Sequence, residues 1–283
     1  GDRIGTGGIY GFLSVLSFAR PKYGGRVVVC WEGGNNFRYR IYPEYKGKRR
    51  KDPSPQEQAW YEDMLEQGQI LRKILKTIGV DQARSPGFEA DDTIGAYADR
   101  ADRSGKKVVI YSGDHDLYQL ISPNVSIVCV RKVGSGKSAK NIDCIETPKS
   151  IRVEYGLKPS QWIDFLTLKG DVGDNIPGVR GIGEVKAKAL LKAFGSIGAL
   201  ESAMADGAEH PSITPSIRQA WEDGKDHVAL WRQLVTIRRD APIKIIRGER
   251  DRSAFLRWIR KLKMKQFMTD SAKLGRLLAI GDR

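Results

Sequence analysis

Cysteine is scarce in this chain of 283 residues, which contains only Cys30, Cys129 and Cys144. Three widely spaced cysteines cannot form the paired framework that is typical of small secreted proteins. Cys30 and Cys129 lie in apolar, strand-like runs, so we interpret them as buried thiols. The sequence therefore predicts a protein of a reducing cytoplasm, bacterial or phage-encoded in a bacterial host.

Long apolar runs are also absent: none reaches the ~18 residues that a membrane-spanning helix needs. The sequence has no basic-then-apolar leader, so we expect neither secretion nor a membrane partner. Residues 134–138 (GSGKS) resemble an ATP-binding loop, but the glycine required five residues before the Gly-Lys pair is replaced by Arg131. Nucleotide binding at this loop is therefore not expected.

Charge of one sign predominates. The chain has 48 Lys and Arg against 34 Asp and Glu, which gives a formal net charge of +14 and a pI near 9.7. A surface this basic attracts polyanions, of which nucleic acid is the most common. Several acidic residues are nevertheless concentrated in short motifs. A protein that binds phosphate only through its positive charge does not need such acidic motifs.

Strand and helix patterns alternate in the first half of the chain. Residues 26–31 (RVVVCW), 107–112 (KVVIYS) and 125–130 are predicted strands, and helices are predicted over residues 9–18, from Ser54 to about residue 78, and over 89–103. This order predicts a parallel sheet with helical crossovers, whose chemistry lies at the carboxyl ends of the strands. A loop is predicted at 133–139, and from about residue 148 the pattern changes to short helices.

Three acidic motifs stand out in this framework. They are residues 89–92 (EADD) at a helix start, 112–116 (SGDHD) after a strand, and 169–175 (KGDVGDN). Carboxylates this close raise one another's pKa unless a cation neutralises them, and hard divalent ions prefer such oxygen ligands. Each motif alone has a simpler explanation, either a favourable helix dipole or an Asx turn. Together they predict a site in which two ions ~4 Å apart cleave a phosphodiester.

A glycine-rich segment follows the third motif. Residues 175–183 (NIPGVRGIG) lead into a helix that carries Lys186 and Lys188. Closely spaced glycines expose backbone N–H groups that can bind phosphate, and the lysines add charge without reading sequence. The segment predicts binding to the DNA backbone.

The order of these motifs resembles the 5′-to-3′ exonuclease and flap endonuclease family, especially the free-standing phage and bacterial members and the nuclease domain of bacterial DNA polymerase I. The resemblance runs from about residue 8 to about residue 243, and GDVGDNIPGVRGIG is its most specific part. It implies an α/β fold: a PIN-like parallel sheet with flanking helices and a helical arch, plus a mostly helical region with a helix–three-turn–helix DNA-binding element. The implied domains are residues 1–147, with the arch at about 38–80, then 148–250, and a C-terminal helical tail at 251–283.

The resemblance also implies roles for individual residues. Two Mg²⁺ or Mn²⁺ ions would be held by Glu32, Glu89, Asp91, Asp92, Asp114, Asp116, Asp171 and Asp174. Lys46 and Arg49 would contact the scissile phosphate. DNA contacts are expected from Phe37, Arg38, Tyr45, Gly178, Arg180, Gly181, Gly183, Lys186 and Lys188. Phe37, Arg38 and Tyr45 would stack on or steer the displaced strand, and ordinary packing is the alternative for these three residues. The Gly178–Gly183 hairpin would hold a monovalent cation such as K⁺.

The sequence departs from the family pattern in two places. The family's opening strand, which ends in a metal-binding Asp-Gly, is not found, and a second family Asp appears here as Glu32. We expect a truncated form of an active, monomeric nuclease that acts on flapped, nicked or 5′-ended duplex DNA, including the RNA primer of a hybrid, in replication or repair. Two alternatives stay open: a DNA-binding relative that has lost catalysis, and a PIN-type ribonuclease.

Overall fold

The helix predicted to begin after Ser54 is the longest helix of the computed structural model, which describes residues 5–47, 53–134 and 140–280. Ser54 Oγ accepts a hydrogen bond from the Glu57 backbone N–H (3.3 Å), and the Glu57 carboxylate accepts one from the Ser54 N–H (2.8 Å). This reciprocal capping box, with Pro55 at the first helical position, explains why the helix begins where the sequence predicts.

The described residues form six strands and thirteen α-helices. The strands are β1 (Val28–Trp31), β2 (Asp81–Arg84), β3 (Val108–Tyr111), β4 (Val125–Val133), β5 (Lys140–Glu146) and β6 (Lys244–Ile246). The helices are α1 (Gly7–Tyr23), α2 (Arg38–Ile41), α3 (Pro55–Thr77), α4 (Ala90–Arg103), α5 (Pro148–Tyr155), α6 (Trp162–Lys169), α7 (Glu184–Phe194), α8 (Ile197–Ala205), α9 (Pro215–Gly224), α10 (Val228–Val235), α11 (Arg252–Lys261), α12 (Lys265–Thr269) and α13 (Ser271–Leu278).

The first of two compact units contains the described residues of 1–34, 50–90 and 242–283. Its sheet has the order β1-β2-β6, with β1 parallel to β2 and β6 antiparallel to β2. Apolar residues of α1, α3 and the C-terminal helices form one core, in which Leu13, Ile74 and Phe255 are fully buried. Residues after 242 therefore complete the fold of this unit.

The second unit contains residues 35–49 and 91–241, as far as they are described. Its sheet has the order β3-β4-β5, with β3 parallel to β4 and β5 antiparallel to β4. The core includes Trp162, whose ring lies 5.1 Å from Tyr118, 4.8 Å from Tyr155 and 5.1 Å from Phe165 between ring centroids. These aromatic contacts join the sheet side of the unit to its helical region.

The predicted strands and the α/β class are confirmed, and the parallel pairing expected for the sheet holds for β1 with β2 and for β3 with β4. Each sheet pairs two parallel strands and adds an antiparallel edge strand, β6 or β5. β2, β5 and β6 were not predicted from the sequence, and β6 lies beyond residue 148, where only short helices were expected. β2 was missed because its sequence DQAR is polar, although Asp81, Gln82 and Ala83 are buried.

The two compact units cut across the predicted domains, because each unit gathers separate stretches of chain. The predicted boundaries at 147 and 250 therefore stay predictions. Arg49 and most of the predicted loop at 133–139 lie outside the described residues. Among the described helices, none combines the length and apolar character needed to cross a bilayer.

Candidate active site

The first acidic loop of the second unit follows β3. Asp114 accepts a hydrogen bond from the Asp116 backbone N–H (2.9 Å) and so caps the short 3₁₀ helix His115–Leu120. The Asp114 N–H in turn donates to Ser112 Oγ (3.2 Å). This Asx-type capping leaves the Asp114 side chain exposed and the Asp116 side chain half-buried at the carboxyl end of the strand.

The second acidic loop lies between α6 and α7. The Asp171 N–H donates to Ile176 O (2.8 Å) and the Ile176 N–H to Asp171 O (2.7 Å), which closes a small hairpin. Asp171 Oδ1 also accepts from the Asp174 N–H (3.0 Å). At the turn Asn175 has φ +58°, a conformation that asparagine tolerates better than most residues. The loop therefore fixes both aspartates by its own hydrogen bonds.

Lys46 and Tyr45 contact this second loop. The Lys46 backbone N–H donates to Asp174 O (2.9 Å), and its ammonium lies 3.7 Å from Asp174 Oδ2. Asn175 Nδ2 donates to Glu44 O (2.9 Å), so the segment at 44–46 is held along the loop. Lys46 thus lies beside the carboxylate of Asp174. A residue that contacts a phosphate bound at the acidic loop would need such a position.

Tyr45 was expected to stack on or steer a DNA strand, and its placement corrects that expectation. Its side chain is 2% exposed, and its hydroxyl donates to Asp174 Oδ2 (2.8 Å). A ring that is buried in this way cannot present a face to a base. The structure instead makes Tyr45 a neighbour of the acidic loop.

The charges of the two loops and of Asp91 in the first turn of α4 act on one another. Burial, and then the charges of Asp114, Asp171, Asp174 and Asp91, raise the pKa of Asp116 to about 7. Four aspartates from the three motifs are therefore close enough to Asp116 to disfavour its ionisation. Hard oxygen donors in such number fit a divalent cation, which would relieve the repulsion.

Among the described residues, no three His, Cys, Asp or Glu side chains are arranged so that they could hold a metal ion. The individual roles of the aspartates as ligands therefore stay predictions.

Asp92 and Arg38 have a different role from the predicted ones of metal ligand and DNA contact. Asp92 is fully buried and Arg38 is 2% exposed. Arg38 Nη1 and Nη2 donate to the two carboxylate oxygens of Asp92 (2.7 and 2.9 Å), and the Arg238 N–H donates to Asp92 Oδ1 (2.8 Å). Arg38 also donates to Leu234 O and Thr236 O, both at 2.8 Å. The pair joins α2, α4 and the segment after α10.

Phe37 lies beside this pair. Its half-buried ring has the guanidinium carbon of Arg38 4.7 Å from its centroid and that of Arg238 5.8 Å away. The packing that was considered as the alternative to DNA contact is therefore present. A role for Phe37 in steering a strand stays a prediction.

Glu32 and Glu89 belong to the first unit. The Gly33 N–H donates to Phe88 O (3.0 Å), so the segment after β1 runs beside the segment before α4. A Cβ on Gly33 would lie 1.8 Å from Ser85 O, which explains the glycine after Glu32. Glu32 is exposed and Glu89 is 8% exposed, and their roles as metal ligands stay predictions.

The glycine hairpin before α7 has the backbone that its composition predicts. Gly178 (φ +66°) and Gly181 (φ +94°) adopt left-handed conformations, and a Cβ on Gly178 would lie 2.4 Å from the Gly170 nitrogen. Gly183 caps α7, and Arg180 is exposed. Their contacts with a DNA backbone stay predictions.

The two lysines of α7 differ in exposure. Lys186 is exposed and donates to Gly181 O (2.9 Å), one of the hairpin carbonyls at which K⁺ was expected. Lys188 is half-buried, bonded to Glu184 Oε1 (2.5 Å), and its ammonium lies 4.9 Å from the Tyr155 ring centroid. Lys186 is therefore the more accessible of the two to a phosphate.

Gln119 is a residue at the site that the sequence analysis missed. Its Nε2 donates to Asp116 O (2.9 Å) and Val235 O (3.0 Å), while its Oε1 accepts from the Ile237 N–H (2.9 Å). It thus anchors the acidic loop after β3 to the segment after α10. The sequence signal that could have indicated this anchoring role is a polar glutamine within the otherwise mostly apolar run at residues 117–121.

Comparison with known proteins gives two adjacent family matches and a set of relatives. Residues 2–155 match the 5′-3′ exonuclease N-terminal resolvase-like domain, and residues 157–252 match the 5′-3′ exonuclease C-terminal SAM fold. DNA polymerase I of Thermus thermophilus is 33% identical over 243 residues, and that of Bacillus caldotenax is 35% identical over 248 residues. Each match covers 86% of this chain and 26% of the relative, so the chain spans about a quarter of these relatives.

Solved structures share the fold. The bacteriophage T5 D15 flap endonuclease, in a complex with DNA and metal ions, has a TM-score of 0.64 at 21% identity, covering 97% of this chain and 91% of that one. The catalytic core of Rad2 in complex with a DNA substrate has a TM-score of 0.58 at 15% identity, covering 96% and 83%. The predicted fold class is confirmed by these matches.

Proposed function

Because the chain belongs to the 5′-3′ exonuclease family, we propose that it is a metal-dependent nuclease that hydrolyses DNA at flaps, nicks or free 5′ ends. The observation that carries the proposal is the proximity of Asp91, Asp114, Asp116, Asp171 and Asp174 in one unit of a chain with net charge +14. Acidic side chains repel a phosphate unless a metal cation lies between them. A cluster of acids in a basic protein therefore indicates a site where carboxylates hold a cation that contacts the phosphate.

The aspartates would hold two Mg²⁺ or Mn²⁺ ions, while the roles of Glu32 and Glu89 as metal ligands stay predictions. When bound, such ions supply the positive charge that activates a water and stabilises the leaving oxygen. Asp116, with its raised pKa, is the group that would release a proton when the cation binds. Asp171 and Asp174 are held in place by the hairpin between residues 171 and 176.

Lys46 would act on the phosphate directly. Its ammonium is 3.7 Å from Asp174 Oδ2 and 17% of its side chain is exposed, so it is oriented by the carboxylate but still reached by solvent. A cation at this position stabilises the negative charge that develops on the phosphate oxygens. Arg49, three residues further on, would assist in the same way.

The substrate would be gripped through its backbone by the glycine hairpin and α7. Gly181 and Gly183 are exposed, the buried Gly178 would shape the turn behind them, and Arg180, Lys186 and Lys188 would supply positive charge. A K⁺ ion at the hairpin would compete for Gly181 O with the Lys186 ammonium, which donates to that oxygen. We further propose that the protein acts as a monomer in a bacterial cytoplasm, in replication or repair, including removal of RNA primers.

The test is incubation of the chain with a 5′-labelled flap duplex in Mg²⁺ or Mn²⁺, beside an Asp174→Asn variant and a chelator control. We expect metal-dependent cutting near the junction that Asp174→Asn abolishes. Asp206→Asn, at an exposed aspartate at the end of α8, is the matched control and is expected to cut normally. Flap binding without cutting in either metal would contradict the catalytic proposal.

That last outcome is the alternative function, a DNA-binding relative without catalysis. The observation that favours it is Glu32, which stands where the family pattern has Asp, because its extra methylene moves the carboxylate. Cutting of single-stranded RNA in preference to the flap duplex would instead support the ribonuclease alternative. Running both substrates side by side separates the three.

A further inference from the structure

Two of the three cysteines face each other across β4 and β5. In the antiparallel register Cys129 is directly opposite Cys144, between the pairs Val128–Ile145 and Val130–Asp143. Directly opposite residues in an antiparallel ladder project to the same face, with Cα atoms about 4.5 or 5.5 Å apart according to the type of pair. Both spacings lie within the range of roughly 4.4–6.8 Å that disulfides occupy.

The surroundings of the Cys129 and Cys144 side chains are compatible with a bond between their sulfur atoms. Cys129 is 5% exposed, and its Sγ lies 3.7 Å from Glu146 Oε1, while Cys144 is half-buried. Burial raises the pKa of Cys129, and Cys144 is among the groups whose charge raises it further. The two sulfur atoms are thus electrostatic neighbours as well as partners in the register.

We propose that Cys129 and Cys144 form a reversible disulfide across β4 and β5, with a low-molecular-weight disulfide as the oxidant. The more accessible thiolate of Cys144 attacks the oxidant, forms a mixed disulfide and releases one small thiolate. The Cys129 thiol then loses its proton and attacks the Cys144 sulfur, which releases the second small thiol. Two protein thiols are oxidised by two electrons, and one small disulfide is reduced to two thiols.

The bond forms without dismantling its surroundings. Glu146 loses only the weak contact from Cys129, because its Oε1 still accepts from Arg131 Nη2 (2.6 Å) and its Oε2 from Ser150 Oγ (2.7 Å). The strand pairing on both sides of the cysteines already fixes their separation. Closure of the bond therefore links β4 to β5 and lowers the entropy of the unfolded chain, which raises the stability of the second unit.

The experiment oxidises the whole chain with glutathione disulfide, quenches with acid, and alkylates the remaining thiols before mass spectrometry. We expect two of the three thiols to be lost to alkylation, no retained glutathione, and a cross-linked peptide pair that contains Cys129 and Cys144. The melting temperature of the oxidised protein should rise and return to its original value on reduction.

Two variants complete the design. Cys30→Ser should form the same cross-link, because Cys30 lies on β1 in the other sheet. Cys144→Ser should leave no cross-link and no rise in melting temperature on oxidation, and because the side chain is only half-buried we expect this variant to fold. Three alkylated thiols in the oxidised wild type, a glutathione adduct that persists, or a cross-link to Cys30 would each overturn the proposal.

Discussion

The hydroxyl of Tyr45 donates a 2.8 Å hydrogen bond to Asp174 Oδ2, the same oxygen that lies 3.7 Å from the Lys46 ammonium. Tyr45 is 2% exposed, so its ring approaches this carboxylate from the interior of the protein. The phenol therefore sets the orientation of a carboxylate that is proposed to bind metal, and it does so from within the protein.

Tyr45→Phe removes that hydrogen bond and keeps the ring. We expect metal affinity to fall about 10-fold, since one hydrogen bond to a charged group contributes about 1.5 kcal/mol or more. Mn²⁺ titration by calorimetry measures this without DNA. The control is Tyr61→Phe on the exposed part of α3, which should change nothing. An unchanged Mn²⁺ affinity in Tyr45→Phe would show that Asp174 does not depend on the phenol.

Arg38→Met removes the cation from the buried pair with Asp92. Asp92 is 0% exposed and would lose the guanidinium that pairs with it, so we expect the free energy of unfolding to fall by about 3–5 kcal/mol. Urea denaturation measures the loss. Arg40→Met, at an exposed position on the same short helix, is the matched control and should cost well under about 1 kcal/mol. A loss no larger than that of the control would contradict the structural role of Arg38.

The pKa of Asp116 gives a pH dependence with a definite sign. The folded-state pKa is raised from 3.8 to about 7, so between these values the folded protein keeps a proton that the unfolded chain has lost. Without divalent ions, the contribution of Asp116 to stability is therefore complete below pH 3.8 and is lost as pH rises toward about 7.

Asp116→Asn cannot titrate, so we expect its stability in EDTA to change less than that of the wild type between about pH 5 and about pH 7.5. Denaturant unfolding at several pH values compares the two, with Asp206→Asn as the control that follows the wild type. Divalent ions should stabilise the wild type most at the upper end of this window, because they replace the proton. Parallel stability curves for wild type and Asp116→Asn would contradict the assignment.

The sequence predicted the parts of the site that depend on local patterns. The capping box at Ser54 and Glu57 located α3, and the acidic motifs correctly marked Asp114 and Asp171 as loop residues beside secondary structure. Such features depend on residues a few positions apart, so they can be predicted from spacing alone.

The parts that depend on distant pairing could not be predicted. Arg38 and Tyr45 were expected to contact DNA because the resemblance to the nuclease family implied that role. Their partners, Asp92 and Asp174, are 54 and 129 positions away in sequence. Only the fold shows that a buried arginine satisfies a buried aspartate, and that a buried tyrosine reaches the acidic loop.

Gly178→Ala tests the glycine hairpin. Gly178 has φ +66°, and its added Cβ would lie 2.4 Å from the Gly170 nitrogen, so both the backbone conformation and the space oppose alanine. We expect a loss of more than about 2 kcal/mol in the free energy of unfolding and weaker binding of duplex DNA. Gly183→Ala is the control, since a Cβ at that position would meet no atom within 4 Å, and it should cost less than about 1 kcal/mol.

Lys186 and Lys188 should differ in their contribution to DNA binding. Lys186 is exposed, whereas Lys188 is half-buried and already neutralised by Glu184. We expect Lys186→Gln to reduce the slope of log affinity against log salt by about 1, since one phosphate contact is lost. Lys188→Gln should change the slope by less, because its charge is partly neutralised before DNA arrives. Fluorescence anisotropy with a flap duplex in EDTA, over a series of salt concentrations, measures both slopes. Equal reductions of the slope in the two variants would show that the pairing with Glu184 does not limit the contribution of Lys188.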